Sequence, residues 1–154
     1  MKLRFTTALL AALAALALPA AASASEGYAG TTINGRSVEY EATVGAGEHI
    51  AFFVTLHNHR ITKVTEFGAS VLAQCALGTD RIGAGLDSTI KVSKSGTFSA
   101  SGTSPSSLPE TALQVTISGH FEDKGRKVAG TMSASGSYNG QTSCTTGTIS
   151  FTAK

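Results

Sequence analysis

An antiparallel β-sandwich of about eight or nine strands, immunoglobulin-like in the broad sense, is the fold class this sequence predicts. Three observations predict it. Short runs alternate apolar and polar residues, the period of a half-buried strand, and no window carries apolar residues at three-to-four spacing for the length a helix needs. Turn residues punctuate these runs: all 17 glycines follow Ser25. Two cysteines, Cys75 and Cys144, suit a single cross-link between sheets.

Residues 1–24 belong to no strand. Lys2 and Arg4 open with positive charge, Ala8 to Leu18 is an apolar run, and Ala22-Ser23-Ala24 precedes Ser25. This is the three-part pattern of a secretory signal peptide with an A-x-A cleavage site. The apolar run is too short to cross a bilayer. The expected mature protein is a single secreted domain, residues 25–154, in a compartment that permits disulfides.

The first strands are expected at 29–33 and 37–44, flanking Asn34-Gly35, a dipeptide suited to a type I′ hairpin because both positions tolerate positive φ. Gly45-Ala46-Gly47 breaks the chain. The next strand, 49–56, is the most apolar, with Ile50, Phe52, Val54 and Leu56 on one face. Phe53 on the other face implies that both sides are partly covered. The segment 57–60 reads as a turn, 61–67 and 70–75 as two strands, and 78–85 as a loop. Strands at 88–93 and 97–101 flank Lys94-Ser95-Gly96. Residues 102–110 form the least regular stretch and hold Pro105 and Pro109. The run 113–122 alternates, with Leu113, Val115 and Ile117 on one side. Asp123-Lys124-Gly125 turns the chain into a long small-residue strand, 128–138. Asn139-Gly140 is a second hairpin signal, and 148–153 closes the domain with Ile149 and Phe151 facing inward.

Charge offers little guidance to function. Lys2 and Arg4 leave with the signal peptide, so the 12 Lys and Arg fall to the same count as the 10 Asp and Glu. No block of like charge stands out, since Lys124, Arg126 and Lys127 sit beside Glu122 and Asp123. Nothing in this balance argues for a hold on nucleic acid or on an anionic membrane. In an oxidising compartment Cys75 and Cys144 are most simply one disulfide. Its loop of about 70 residues corresponds to about 4 kcal/mol in the chain-entropy model.

Catalytic motifs are missing. There is no G-x-S-x-G elbow, P-loop or dinucleotide fingerprint, and Gly45-Ala46-Gly47 and Gly83-Ala84-Gly85 are lone turns. Glu39 and Glu41 share one strand face and cannot flank a glycosidic bond. Asp80 and Asp87 bracket a glycine-containing loop but are too few ligands for calcium. His57 and His59, at i and i+2, would share a face, with His49 approaching across the hairpin; such a cluster can ligate zinc or copper, although a solvated turn explains the same residues. His120 reads as a surface residue. Leu108-Pro109-Glu110-Thr111 imitates a sortase signal but runs into a strand and not into an apolar anchor.

The last third has a distinctive cadence: Gly119-His120-Phe121, then Val128-Ala129-Gly130, then Cys144-Thr145-Thr146-Gly147-Thr148-Ile149-Ser150-Phe151-Thr152-Ala153-Lys154. It resembles a group of small secreted actinobacterial-type proteins in which a mid-chain cysteine precedes G-x-F and V-x-G strands and a C-x-(S/T)-G-x-(V/I)-x-(F/W)-x-A-(K/R) tail closes the fold. The likeness covers roughly residues 50–154. It implies a disulfide-linked β-sandwich and transfers no catalytic residue.

The resulting expectation is a secreted, non-enzymatic extracellular module that binds a surface, a polymer or a protein. It would need no cofactor, would not bind nucleic acid and would have no transmembrane segment in the mature chain. The alternatives are a small secreted metal-binding protein or enzyme using His49, His57 and His59, and an inhibitor of secreted proteases presenting the loop 102–112.

Overall fold

Alternation of buried and exposed side chains governs the described strands. The structure, a computed structural model, describes residues 28–33, 37–45 and 47–154, with side chains from Val38 onward. The signal-peptide segment 1–24 and the Asn34-Gly35 turn lie outside the described residues. The described strands are β1 (Tyr28–Ile33), β2 (Ser37–Gly45), β3 (Glu48–His57), β4 (Arg60–Cys75), β5 (Gly78–Leu86), β6 (Ile90–Lys91), β7 (Thr97–Thr103), β8 (Ala112–Glu122), β9 (Lys127–Tyr138), β10 (Gln141–Thr145) and β11 (Ile149–Ala153). Every pairing among them is antiparallel. No described helix is long and apolar enough to cross a membrane.

Two layers face each other. One runs β1-β2-β3-β4, with β5 and β6 sharing the far edge of β4. The other runs β7-β8-β9, with β10 and β11 sharing the far edge of β9. They join at one corner, where Thr145 of β10 pairs with Gln74 of β4. The Cys75–Cys144 disulfide sits at that same corner, so the bond ties the two layers where they are already hydrogen-bonded. The path begins at β1 and ends at β7 without closing into a barrel.

The strand total is 11, against the eight or nine expected. The segment 78–85, expected as a loop, is strand β5. Its glycines and Asp80 are poor strand formers. Yet Ile82, Ala84 and Leu86 are buried at alternate positions, and the backbone pairs with β4 from Phe67 to Cys75. Tertiary burial outweighs local preference there. Conversely, the two strands expected at 61–67 and 70–75 are one 16-residue strand, β4. A bulge makes this possible: Phe53 pairs with Thr65 but Ala51 pairs with Gly68, and Glu66 adopts φ 53°. The extra residue lets Val64 and Phe67, three positions apart, both face the core.

Other expectations hold. Leu113, Val115 and Ile117 of β8 are fully buried, as are Ile50, Phe52 and Val54 of β3, and Phe53 is half-buried. Asn139-Gly140 joins β9 to β10 with φ of 47° and 78°, the two left-handed residues of a type I′ turn. Asn58-His59 does the same between β3 and β4, with φ of 50° and 61°.

The core is organised around a row of four cross-strand partners, Phe98–Gly119–Gly130–Phe151, running across β7, β8, β9 and β11. The rings of Phe98 and Phe151 lie over the two glycines. A Cβ at Gly119 would fall 2.4 Å from Phe98 Cζ, and one at Gly130 would fall 2.5 Å from Phe151 Cζ. Phe52 of the opposite layer closes the cluster, with its ring centre 6.1 Å from Phe98, 6.3 Å from Phe151 and 5.4 Å from Tyr40, on which it stacks. This aromatic cluster underlies the end of the sandwich described next.

Candidate ligand-binding end

Three turns meet at one end of the sandwich. The β3–β4 turn brings His57, His59, Arg60 and, one step into β4, Lys63. The β6–β7 connection brings Lys91 and Lys94. The β8–β9 turn, a 3-10 element Asp123–Gly125, brings Lys124, Arg126 and Lys127, and Lys154 follows β11. Eight of the Lys and Arg residues therefore gather where the only described carboxylates on these turns are Glu122 and Asp123. Both carboxylates are taken: Lys127 Nζ lies 3.6 Å from Glu122, and Arg126 lies 3.2 Å from Asp123. Arg60, Lys63, Lys91, Lys94 and Lys124 make no ion pair among the described residues. Glu48, Asp80 and Glu110 lie toward the other end. Cationic side chains are thus concentrated at one end of the described structure.

Backbone geometry sharpens this end. Asp123, Lys124 and Gly125 are three consecutive left-handed residues, with φ of 48°, 58° and 86°. Only glycine adopts such a conformation without a steric penalty. The turn is held by the Tyr40 hydroxyl, which donates a hydrogen bond to the Gly125 carbonyl. Burial pushes the Tyr40 phenol above its ordinary pKa. On the neighbouring turns, the Arg60 guanidinium donates to the Lys94 carbonyl, and Phe121 N–H donates to the Gly96 carbonyl at 3.0 Å.

Two hollows open between the turns. One, of about 320 Å³, has Ile61, Val92 and Phe121 as its apolar lining and His59, Arg60, Lys94 and Lys124 around it. The second, of about 420 Å³, is lined by Val38, Tyr40, Leu56 and Ile61, with His59, Lys124, Arg126 and Lys154 around it. His59, Ile61, Lys124 and Gly125 belong to both. On the outer face of β4, Lys63 pairs directly with Lys91. Like charges at directly opposed positions destabilise a sheet. The hollows offer cations and hydrocarbon, and no described Asp or Glu side chain lines either of them.

The histidines singled out in the sequence are not gathered. His49 sits at the start of β3, with Nδ1 3.5 Å from Glu41 Oε1. His57 is at the far end of the same strand, roughly 26 Å away at the rise of an extended chain. His59 lies in the turn and not on the strand, so it does not share a face with His57. No three His, Cys, Asp or Glu among the described residues are close enough to hold a metal ion together. His120 is exposed on β8 beside Thr97. Glu39 and Glu41 are partly exposed on β2. Asp80 accepts hydrogen bonds from Gln141 Nε2 at 2.9 Å and from Arg81 N–H at 2.8 Å, and strand β5 separates it from Asp87. The proline-bearing loop follows β7 at the opposite end from the basic turns. Ser104 anchors it through a backbone hydrogen bond to Leu113 and through its hydroxyl, which accepts from Gly85 N–H.

The residues that sequence reading missed are Arg60, Lys94, Lys124 and Tyr40. A signal existed for the first three, since each stands in or beside a tight turn. That the three turns adjoin is a property of strand order. No family model matches the chain, and no curated protein or solved structure matches it.

Proposed function

We propose that this chain is a secreted, non-enzymatic binding module whose cationic end docks an anionic polymer outside the cell. One observation carries the reading: eight cations concentrate at one end while both carboxylates of the turns there are already paired. The opposed pair Lys63 and Lys91 adds weight. Two lysines across from each other repel, and an anionic partner bound to both would offset that cost. A disulfide-tied, all-β domain is compatible with life outside the cell. The likeness of its C-terminal tail to secreted actinobacterial-type proteins points the same way.

The test is a comparison of dextran sulfate with neutral dextran at several salt concentrations. Binding should be confined to the sulfated polymer and should weaken as salt rises, because binding releases condensed counterions. Lys63→Gln with Lys91→Gln should reduce affinity several-fold and flatten the salt dependence. Equal binding to both dextrans, or a double variant as tight as the original, would remove the basis for this function.

A further inference from the structure

The groove between β2, the β3–β4 turn and the β8–β9 turn has features that polymer docking does not require. Its volume, about 420 Å³, falls within the range of small-molecule sites. Its floor is hydrocarbon: Val38, Leu56 and Ile61 are only partly buried, and the Tyr40 ring completes it. Tyr40 has no proton to spare, because its hydroxyl already donates to the Gly125 carbonyl. A sugar or other polyhydroxyl ligand would therefore find one acceptor oxygen on the floor for its several hydroxyls and would lose most of its hydration without return. A hydrocarbon chain loses nothing there.

The rim supplies the other half of the specificity. His59, Lys124 and Arg126 surround the groove together with Lys154, and no Asp or Glu side chain is among its described lining residues. Lys124 is held in a left-handed conformation that lysine does not favour, between left-handed Asp123 and Gly125. Backbone strain of this kind persists where the surrounding structure enforces it and often marks ligand clamps. Enforcement is visible here. A Cβ at Gly125 would lie 2.9 Å from Ile61 Cδ1, so the turn is seated directly on the groove floor.

We propose that this groove is a binding site for an amphiphilic monoanion, a medium-chain carboxylate or its alkyl sulfate equivalent. The chain lies along Val38, Leu56, Ile61 and the Tyr40 ring, and the acid group meets Lys124 with His59 beside it. The groove shares Lys124, Arg126 and Lys154 with the cationic end, but its apolar floor is separate from the Lys63–Lys91 face, so either proposal can fail alone.

The experiment is an amide-shift NMR titration of the full chain with acetate, hexanoate, octanoate and uncharged octanol. Each added methylene should tighten carboxylate binding about three- to fourfold. Octanoate should bind about tenfold more tightly than octanol, with shifts centred on Leu56, Ile61 and Lys124–Arg126. Lys124→Asn, which keeps a residue tolerant of the left-handed turn, should weaken octanoate about tenfold and leave octanol unchanged. Leu56→Trp, which fills the groove, should abolish both while dextran sulfate binding persists. Acetate binding as well as octanoate, octanol binding as well as octanoate, or no binding at millimolar concentration would each overturn the proposal. If Leu56→Trp does not fold, the Lys124→Asn comparison decides alone.

Discussion

Adding one methyl group at Gly119 tests the aromatic–glycine row directly. An ideal Cβ there would stand 2.4 Å from Phe98 Cζ and 2.7 Å from Cε1, while its nearest backbone neighbour, Ala129 O, is 3.2 Å away. Carbon atoms rest at about 3.5–4.0 Å, so the ring tip must retreat by roughly 1 Å. It has little room: Phe98 is 4% exposed and its ring centre is 5.3 Å from Phe121. Overpacking of this sort costs about 1–3 kcal/mol, partly offset because alanine has less freedom than glycine to lose on folding. Gly119→Ala should therefore lower unfolding free energy by about 1–2 kcal/mol in urea denaturation with the disulfide intact. Because the obstacle is the tip of one side chain, Phe98→Leu should relieve it, and a double-mutant cycle should show favourable coupling of about 1 kcal/mol. Gly130→Ala differs. Its Cβ would meet Phe151 Cζ at 2.5 Å and also Ser118 O at 2.5 Å. That carbonyl belongs to the backbone of β8, so Phe151→Leu should give little rescue. Gly83, whose Cβ would meet nothing within 4 Å, is the control. Gly83→Ala should be neutral or stabilising by up to about 1 kcal/mol. If Gly119→Ala proves as stable as Gly83→Ala, or the Phe98 cycle shows no coupling, the rings do not depend on the glycines and the packing argument is wrong.

Other outcomes follow from the same geometry. Replacing Cys75 and Cys144 with alanine opens a loop whose ends are 69 residues apart and should cost about 4 kcal/mol, read as a lower urea midpoint; a loss below about 1 kcal/mol would show that the corner is held by hydrogen bonding alone. Tyr40→Phe leaves the Gly125 carbonyl without its partner and should cost about 1–3 kcal/mol at pH 7. The same variant tests alkaline behaviour. The folded pKa of Tyr40 is raised above 10.0, so its contribution is complete below pH 10 and is lost as pH climbs through the folded value. Stability measured from pH 9 to 12 should thus fall less steeply in Tyr40→Phe than in the original chain. Lys63→Gln should stabilise the fold by about 0.2–1 kcal/mol while weakening polyanion binding, whereas a loss of stability would mean the opposed lysines are not in conflict.

How far the sequence could be read depends on what kind of order was asked for. Period-two alternation in 113–117 and 50–54 places those side chains on the core face without further information, because neighbouring residues of a strand point to opposite sides. Asn139-Gly140 announces its turn for an equally local reason. Strand β5 was not legible, because its three glycines and Asp80 disfavour strands and its order comes from the edge of β4. Nor was the Glu66 bulge, which breaks the alternation that pattern reading relies on. The histidines misled because i and i+2 spacing implies a shared face only within one strand, and His59 is the second residue of a turn.

Composition, alternation and two cysteines were thus enough to determine an all-β chain with one cross-link, since each of those features acts over a few residues or through a covalent bond. The candidate site is another matter. Arg60, Lys94 and Lys124 are separated by tens of residues, and the balanced count of acids and bases conceals them. Only the packing of two layers, with the β3–β4, β6–β7 and β8–β9 turns emerging at the same end, turns a nearly balanced composition into a cationic, partly apolar surface. Electrostatic potential depends on distance in space, and the tertiary fold alone sets those distances.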